Sequence, residues 1–329
     1  MQAVKLSRLR QKDTVRDWVS ETKLSPASII QPYFVVEAKG VKAEIKSMPG
    51  IFRLSIDNLL KDIERLKGIK SVLLFGVPHS KDNAGYNAYK KDGVVQKAVS
   101  RIKKERKDLI VITDVCLCGY TLHGHCGIIR GQRNNIIDDD KTLRILSKIA
   151  LSHAEAGADF VAPSAMADGQ VAAIRNALDK SQFKNTGILA YSAKYASFFY
   201  GPFRDASGST PKFGDRKAYQ MDYRNSDEAL REIRQDIDEG ADIVMVKPAL
   251  AYLDVIYKAK QGFNVPIAAY NVSAEYAMVK AYCQMTENRG QRAELEKNLV
   301  LEMLTSIKRA GADFIITYWA KDVVKWVQQ

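Results

Sequence analysis

The sequence has 329 residues, of which 46% are apolar, and this is enough for one large folded domain or two ordinary ones. The formal net charge is +12, but the lysines and arginines are spread along the chain among 38 acidic residues. We therefore expect a solvated basic surface and no nucleic-acid partner. The N-terminus lacks an apolar run of signal-peptide length and the other apolar stretches are strand-sized, which predicts a cytoplasmic protein that does not bind membranes.

The segment Met1–Pro26 carries neither a helix cap nor a strand signal, yet it contains the apolar residues Val15, Trp18 and Val19. Apolar side chains of this size are costly to leave in water, which favours docking on a neighbouring subunit over fraying. We therefore predict an N-terminal arm over residues 1–26 that makes oligomer contacts, followed by one main domain over residues 27–329.

Short β-rich apolar runs recur along the remainder of the chain, separated by stretches with helical periodicity. Strands that alternate with helices and are almost continuously apolar indicate parallel pairing, and eight of them predict a single closed (β/α)8 TIM barrel. The alternative is an open doubly wound sheet, but the glycine-rich phosphate loop typical of that fold does not follow the first strand. The runs are Ile29–Val36, Ser71–Gly76, Leu109–Val115, Asp159–Ala162, Gly187–Ser192, Asp242–Lys247, Val265–Asn271 and Asp313–Tyr318.

Two helices of this series can be bounded from their patterns. Thr142–Ala156 and Ser226–Glu239 place apolar residues on one face. Each is followed by a glycine, Gly157 or Gly240, at the position where a C-terminal cap belongs.

Residues Ala193–Asn225 interrupt the alternation with more than thirty residues rich in Gly, Pro, Ser, Arg and aromatics. A loop of this length inside a compact domain is usually a functional lid. Arg204 and Arg216, with Gln220, suit the capture of a carboxylate, although loop arginines are as often simply solvated. Aromatic residues of the same loop would exclude water on closure: Tyr200, Phe203 and Phe213.

The active site of a TIM barrel is built at the carboxyl ends of its strands, so the residues there are the candidates. Lys247 ends an apolar run, where desolvation favours a neutral and therefore nucleophilic amine. Lys194 lies one strand away, and a second ammonium group nearby disfavours the charged form of Lys247. A lysine at a strand end is alternatively a solvated cap. Other polar residues at these ends are Asp114, Ser164, Asp168, Tyr270, Ser273 and Tyr318.

The stretch DVCLCGYTLHGHCG contains Cys116, Cys118 and Cys126. Three thiolates leave one tetrahedral position open, and an open position is typical of a catalytic zinc site. Buried free thiols and a disulfide are the alternatives. His123 and His125 are candidates for further contacts at the metal, or they are merely hydrogen-bonded.

Several motifs at these positions, taken together, resemble the porphobilinogen synthase family, also called 5-aminolaevulinate dehydratase. The matching stretches run from Asp114 to Tyr318 and include DVCLC, HGHCG, YSAKYA, FYGPFRDA, FGDRKxYQ, MVKP and ITY. The resemblance implies a lyase of haem biosynthesis that condenses two 5-aminolaevulinate molecules into porphobilinogen with the loss of two waters.

The resemblance also implies roles for individual residues. Lys247 would form a Schiff base with the first substrate molecule and Lys194 with the second, while the three cysteines would hold zinc. Glu232 matches a position that binds an allosteric magnesium ion, and the assembled form would be a homo-octamer of arm-exchanging dimers. The site would be lined by Ser273 and Tyr318 at the carboxylate of the first substrate, by Arg204, Arg216 and Gln220 at that of the second, and by Asp114 and Ser164. From their positions in the long loop and at a strand end, Tyr200, Phe203 and Tyr270 are further candidates for substrate contacts.

Two other classes of protein remain open from the residues alone. A class I aldolase on the same barrel needs one Schiff-base lysine and no metal, and the cysteine triplet and the second lysine count against it. A basic nucleic-acid-binding protein with a structural zinc would need a fourth ligand and a cationic stripe.

Overall fold

The computed structural model describes residues 4–131, 137–286 and 289–328. Over these residues the chain forms ten strands, which we number in chain order. They are β1 (Ile29–Val36), β2 (Lys42–Glu44), β3 (Phe52–Ser55), β4 (Ser71–Val77), β5 (Ile110–Val115), β6 (Phe160–Pro163), β7 (Gly187–Lys194), β8 (Ile243–Lys247), β9 (Ile267–Tyr270) and β10 (Phe314–Ile316).

Eight of these strands form a closed parallel barrel. They pair with their neighbours in the order β1-β4-β5-β6-β7-β8-β9-β10. The last strand, β10, also pairs with β1, where Ile315 lies opposite Ile29, and this pairing closes the sheet. Fully buried Val, Ile and Leu side chains dominate the core. The predicted single (β/α)8 barrel is therefore confirmed, and the predicted strand ends differ from the observed ones by no more than two residues.

Eleven helices accompany the strands in the described part of the chain. Gly157 and Gly240 follow the helices α4 (Asp139–Glu155) and α7 (Asp227–Asp238) with φ of 100° and 104°, the left-handed conformation that makes glycine the preferred residue after a helix. The two predicted helices are thus present with their predicted glycine ends. The helices are α1 (Asp13–Trp18), α2 (Ile56–Ile63), α3 (Val94–Glu105), α4 (Asp139–Glu155), α5 (Gln170–Lys180), α6 (Gly201–Ser207), α7 (Asp227–Asp238), α8 (Leu253–Gly262), α9 (Ser273–Met285), α10 (Arg289–Arg309) and α11 (Ala320–Val327).

A small hairpin, β2–β3, extends the sheet beside β1. Strand β3 runs parallel to the end of β1, with Leu54 opposite Val35, and antiparallel to β2, with Arg53 opposite Ala43. Because it adjoins the carboxyl end of β1, the hairpin lies at the rim of the barrel where an active site forms. The sequence patterns had not indicated it.

The residues before β1 contain a 3-10 helix, Leu6–Arg10, and the short helix α1. Lys12 precedes α1 and gives it no side-chain cap. Trp18, at the end of α1, is 83% exposed, so this predicted arm leaves apolar surface in contact with solvent. None of the described helices is both long and apolar enough to cross a lipid bilayer.

Candidate active site

The carboxyl ends of β7 and β8 place Lys194 and Lys247 side by side. The two residues are paired in register, and their side chains are only 5% and 4% exposed. Both ammonium groups approach the ring of Tyr191, whose centre lies 5.5 Å from Nζ of Lys194 and 5.0 Å from Nζ of Lys247. The structure therefore brings together the two lysines that the sequence selected.

Lys247 lies in an aromatic cage. Burial, and then the charge of Lys194, lower the pKa of Lys247 to about 7, against an opposing effect of the Asp114 carboxylate. Near neutral pH a substantial fraction of Lys247 is consequently the neutral amine, which is the form that attacks a carbonyl carbon. The other ring centres close to Nζ are those of Tyr270 at 4.1 Å, Phe203 at 4.9 Å and Tyr200 at 5.2 Å.

Lys194 has polar neighbours instead. Its Nζ donates a hydrogen bond to the backbone oxygen of Ser164, just after β6. The side chain of Ser164 is hydrogen-bonded to Asp114, in β5. Burial, and then the charge of Cys118, raise the pKa of Asp114 to about 6. A carboxyl group that titrates near neutral pH thus lies close to both lysines.

Cys116, Cys118 and Cys126 converge beyond the end of β5. All three are buried, and each is a free cysteine in this structure. Their Sγ atoms lie within 4.8 Å of one another, and those of Cys116 and Cys118 are 3.3 Å apart. Thiolates at about 2.3 Å from one tetrahedral ion stand about 3.8 Å apart, so this spacing fits zinc. Within the described ranges, this is the one group of three potential His, Cys, Asp or Glu ligands close enough to hold a metal.

Tyr219 and His125 cover the cysteine cluster. The hydroxyl of Tyr219 accepts from the Cys126 N–H at 3.4 Å and lies 3.1 Å from Nδ1 of His125. Nε2 of His125 lies 3.0 Å from the Phe213 backbone oxygen, and Nδ1 of His123 accepts from the His125 N–H at 3.1 Å. The histidines therefore hydrogen-bond to protein groups and do not join the cluster of potential metal ligands.

Arg204, Arg216 and Gln220 bring unpartnered polar atoms into the same region. Arg216 donates from Nη2 to the backbone oxygens of Gly124 at 2.9 Å and Ser209 at 2.6 Å. Among the described residues, Nε of each arginine and both amide atoms of Gln220 are buried without a hydrogen-bond partner. A buried donor without a partner is costly, so the two Nε atoms and the Gln220 Nε2 fit a ligand that supplies acceptor oxygens, such as a carboxylate.

Ser273 and Tyr318 lie on the aromatic side of the site. The hydroxyl of Tyr318 is 3.2 Å from that of Tyr270, and burial holds the pKa of both above the ordinary value. Oγ of Ser273 accepts from the Phe203 N–H at 3.0 Å and donates to the Phe199 backbone oxygen at 3.2 Å. Both hydroxyls are therefore neutral hydrogen-bonding groups, and that of Ser273 contacts the segment Phe199–Phe203.

Glu232 lies on α7, where it lines a small cavity together with Asp168 from the segment after β6. Burial, and then the charges of Asp168 and Glu228, raise its pKa. It is not part of a group of three close potential ligands within the residues described.

Two residues of the site had not been selected from the sequence. Tyr191 lies between the two lysines, and its buried hydroxyl has no partner in the described part of the chain. Strict alternation would point Tyr191 and Lys194 to opposite faces of β7, but the register shifts between Ala190 and Ala193. The sequence indicated Tyr219 only as a member of the stretch FGDRKxYQ and did not predict its contacts with Cys126 and His125.

The fold and this set of side chains define a barrel enzyme with paired, buried lysines beside a thiol cluster. The sequence model of the family described as delta-aminolevulinic acid dehydratase matches residues 3–326. The chain belongs to this family, and it is a lyase with the activity of a porphobilinogen synthase. The predicted reaction is thus confirmed, and the aldolase and nucleic-acid-binding alternatives are set aside.

Individual relatives agree with the family match over nearly the whole chain. The delta-aminolevulinic acid dehydratase of Methanothermus sociabilis is 54% identical over 98% of this chain and 98% of its own length. That of Bacillus subtilis is 49% identical over 98% of this chain and 97% of its own. The crystal structure of the Toxoplasma gondii enzyme in complex with porphobilinogen superposes with a TM-score of 0.93 at 43% identity, covering 98% of this chain and 91% of that one.

Proposed function

We propose that this synthase works through both lysines, Lys247 forming a Schiff base with the first 5-aminolaevulinate molecule and Lys194 with the second. The observation that carries the proposal is the pair of buried amines at adjacent strand ends, one of them with a pKa of about 7. Near neutral pH the neutral amine of Lys247 attacks the ketone carbon of the substrate. Water leaves as the imine forms.

The imine then activates the substrate for bond formation. Once protonated, it draws electrons from the neighbouring carbon, which loses a proton and becomes nucleophilic. One carbon–carbon and one carbon–nitrogen bond join the two molecules, and both lysine amines are released. The balance is two 5-aminolaevulinate molecules in, one porphobilinogen and two waters out. Asp114 and Ser164, hydrogen-bonded to each other near the lysines, are the proposed groups that move protons.

The substrate carboxylates have two proposed binding places. The unpartnered donors of Arg204, Arg216 and Gln220 are supported as partners of the second molecule by their burial. Ser273 and Tyr318 are the proposed partners of the first molecule. Tyr200, Phe203 and Tyr270 exclude water around the reacting amine, which keeps Lys247 neutral and disfavours hydrolysis of the imine.

Cys116, Cys118 and Cys126 are the proposed zinc ligands. When bound there, zinc supplies a Lewis acid with one open coordination position. Hydrogen bonds from Cys116 and Cys118 lower the pKa of Cys126 and favour its thiolate, which is the form that binds a metal ion. Tyr219 covers Cys126 and limits the access of water to the cluster.

Borohydride reduction in the presence of substrate tests the lysine assignment. Reduction turns an imine into a stable amine, so we expect the peptide that contains Lys247 to gain the mass of the substrate residue. Lys247→Met should lose both this label and turnover. Lys260→Met, which removes a partly exposed lysine paired with Asp313 on the barrel exterior, is the matched control and should retain both. Labelling that is confined to lysines other than Lys194 and Lys247 would refute the proposal.

We also propose that the arm, residues 1–26, joins subunits into a homo-octamer, with the main barrel domain over residues 27–329 and a regulatory magnesium ion at Glu232. Support comes from the exposed Trp18 and from the mutual repulsion of Glu232 and Asp168, which a divalent cation would relieve. Sedimentation of the arm-deleted protein should show loss of the octamer. Sedimentation with and without magnesium should show that magnesium no longer favours the octamer in Glu232→Ala, whereas it still does in the exposed control Asp238→Ala. An octamer that survives arm deletion would contradict the proposal.

The free cysteines support a reducing, cytoplasmic location.

A further inference from the structure

The short lid helix α6 presents two groups to the active site. Phe203 contributes a ring to the cage around Lys247, and Arg204 carries one of the unpartnered buried nitrogens. The first turn of α6 is anchored where the Phe203 N–H donates to Ser273 Oγ at 3.0 Å. A seven-residue helix has little stability of its own, so its position depends on what holds its other end.

The carboxyl end of α6 is held by the β2–β3 hairpin. Arg53 on β3 donates from Nε to the backbone oxygen of Ala206 and from Nη2 to that of Asp205, both at 2.7 Å. Ser47, in the turn of the hairpin, adds a hydrogen bond from its Oγ to the Asp205 carboxylate at 2.7 Å. The last carbonyls of a helix have no partner within the helix, and a cation there also complements the helix dipole.

A second cation reaches the residue that ends the helix. Gly208 has φ of 58°, the left-handed conformation that terminates α6. Its backbone oxygen accepts a hydrogen bond from Nζ of Lys81, in the loop after β4. Three carbonyls at the end of α6 are therefore bound by charged donors from two separate elements of the barrel rim.

We propose that Arg53 is a positioning residue for the condensation, because it fixes α6 and thereby the placement of Phe203 and Arg204, with Lys81 as a second tie. The inference rests on the proposed roles of those two lid residues in substrate binding. Arg53 hydrogen-bonds to the backbone of α6, so its effect on the reaction passes through Phe203 and Arg204. Its planar guanidinium suits two adjacent carbonyls at once, whereas a lysine ammonium makes a single point contact.

The experiment compares Arg53→Ala and Arg53→Lys with the control Lys42→Ala in otherwise full-length protein. Lys42 is an exposed cation on the same hairpin, with Nζ 4.6 Å from the centre of the Phe52 ring. Amide hydrogen exchange of a peptide that covers residues 201–209 reports on α6. In Arg53→Ala we expect this exchange to rise about tenfold, because two charge-assisted hydrogen bonds are lost, while exchange of the barrel strands stays unchanged.

Kinetics provide the second measurement. We expect KM for 5-aminolaevulinate to rise roughly five- to tenfold in Arg53→Ala with kcat within about threefold, because α6 is still able to form but must be ordered on binding. Arg53→Lys should recover part of the loss, and Lys42→Ala should match the wild type. If Arg53→Ala does not fold, Lys81→Ala takes its place with the same expected pattern.

The outcomes separate the inference from the function on which it rests. Unchanged exchange in α6 would overturn the positioning role. A uniform rise across all strands would also overturn it, because it would show general destabilisation. A rise confined to α6 with an unchanged KM would support the tie and contradict the substrate-binding roles of Phe203 and Arg204.

Discussion

The barrel mouth has two unlike walls, one around each lysine. The wall around Lys247 is aromatic, and the wall around Lys194 is polar. In the aromatic wall the nearest ring centre is only 4.1 Å from the amine. The aromatic wall consists of Tyr200, Phe203 and Tyr270, with Tyr318 behind Tyr270. The polar wall consists of Ser164 and Asp114 near Lys194 and, beyond them, of the cysteine cluster with Arg216 and Gln220.

The difference shows that two lysines at equivalent strand positions can have different chemical environments. Lys194 and Lys247 are paired in register, so their backbone positions are equivalent and the surrounding side chains make the difference. The aromatic wall removes water and keeps Lys247 available as a neutral nucleophile. The polar wall gathers hydrogen-bonding groups and thiols, which suit a metal ion, a carboxylate and proton transfer. We infer that the polar wall holds the proposed metal ion and the carboxylate of the second substrate molecule, whereas the aromatic wall favours attack by the neutral amine of Lys247.

The largest effect is expected from breaking the polar wall at the thiol cluster. Cys116→Ala removes one of the three proposed zinc ligands, so the zinc content of the purified protein, measured by elemental analysis, should fall well below that of the wild type. A Lewis acid contributes several kcal/mol to transition-state stabilisation, so turnover should fall roughly 10³-fold. The burial that lowers the pKa of Lys247 should persist in this variant, because the aromatic wall is untouched.

Cys283→Ala is the matched control for that substitution. Cys283 is also a buried free cysteine, but it lies on α9, away from the cluster. The Cys283→Ala protein should have the zinc content and the activity of the wild type. A zinc-free Cys116→Ala protein with normal turnover would show that the polar wall needs no metal.

The aromatic wall could be predicted only in part from the sequence. The eight strands were recognisable because each is a short buried run, and the rule that barrel sites form at strand ends then selected Lys194, Lys247 and the residues after β5. Tyr191 escaped because the register shift within β7 changes which face its ring occupies. Tyr270 and Tyr318 were named as strand-end residues, but their mutual hydroxyl contact is a tertiary fact that no spacing encodes.

The hairpin escaped for a different reason. Strand β2 is only three residues long and fully exposed, so it carries no apolar alternation from which a strand could be recognised. No local pattern in the sequence therefore distinguished Arg53 from the other lysines and arginines. Its contacts with α6 join residues more than 150 positions apart, and such contacts depend on the folded barrel.

A smaller effect, which sharpens the comparison, is expected from pH. Burial and the charge of Lys194 lower the pKa of Lys247 to about 7, and the reactive form is the unprotonated amine. The rate of Schiff-base formation, followed as borohydride-trapped label, should therefore fall about tenfold per pH unit below pH 7 and level off above pH 8.

Tyr270→Ala tests the contribution of the aromatic wall to this pH profile. The substitution removes the closest ring and lets water approach the amine, which moves the pKa of Lys247 upward towards its ordinary value. The acid limb of the profile, where the rate falls, should therefore move to higher pH. Tyr257→Ala, which removes a 56% exposed ring on α8, is the control and should leave the limb in place. A wild-type limb near pH 10 would show that the aromatic wall does not desolvate the amine, and an unmoved limb in Tyr270→Ala would assign the shift to Lys194 instead.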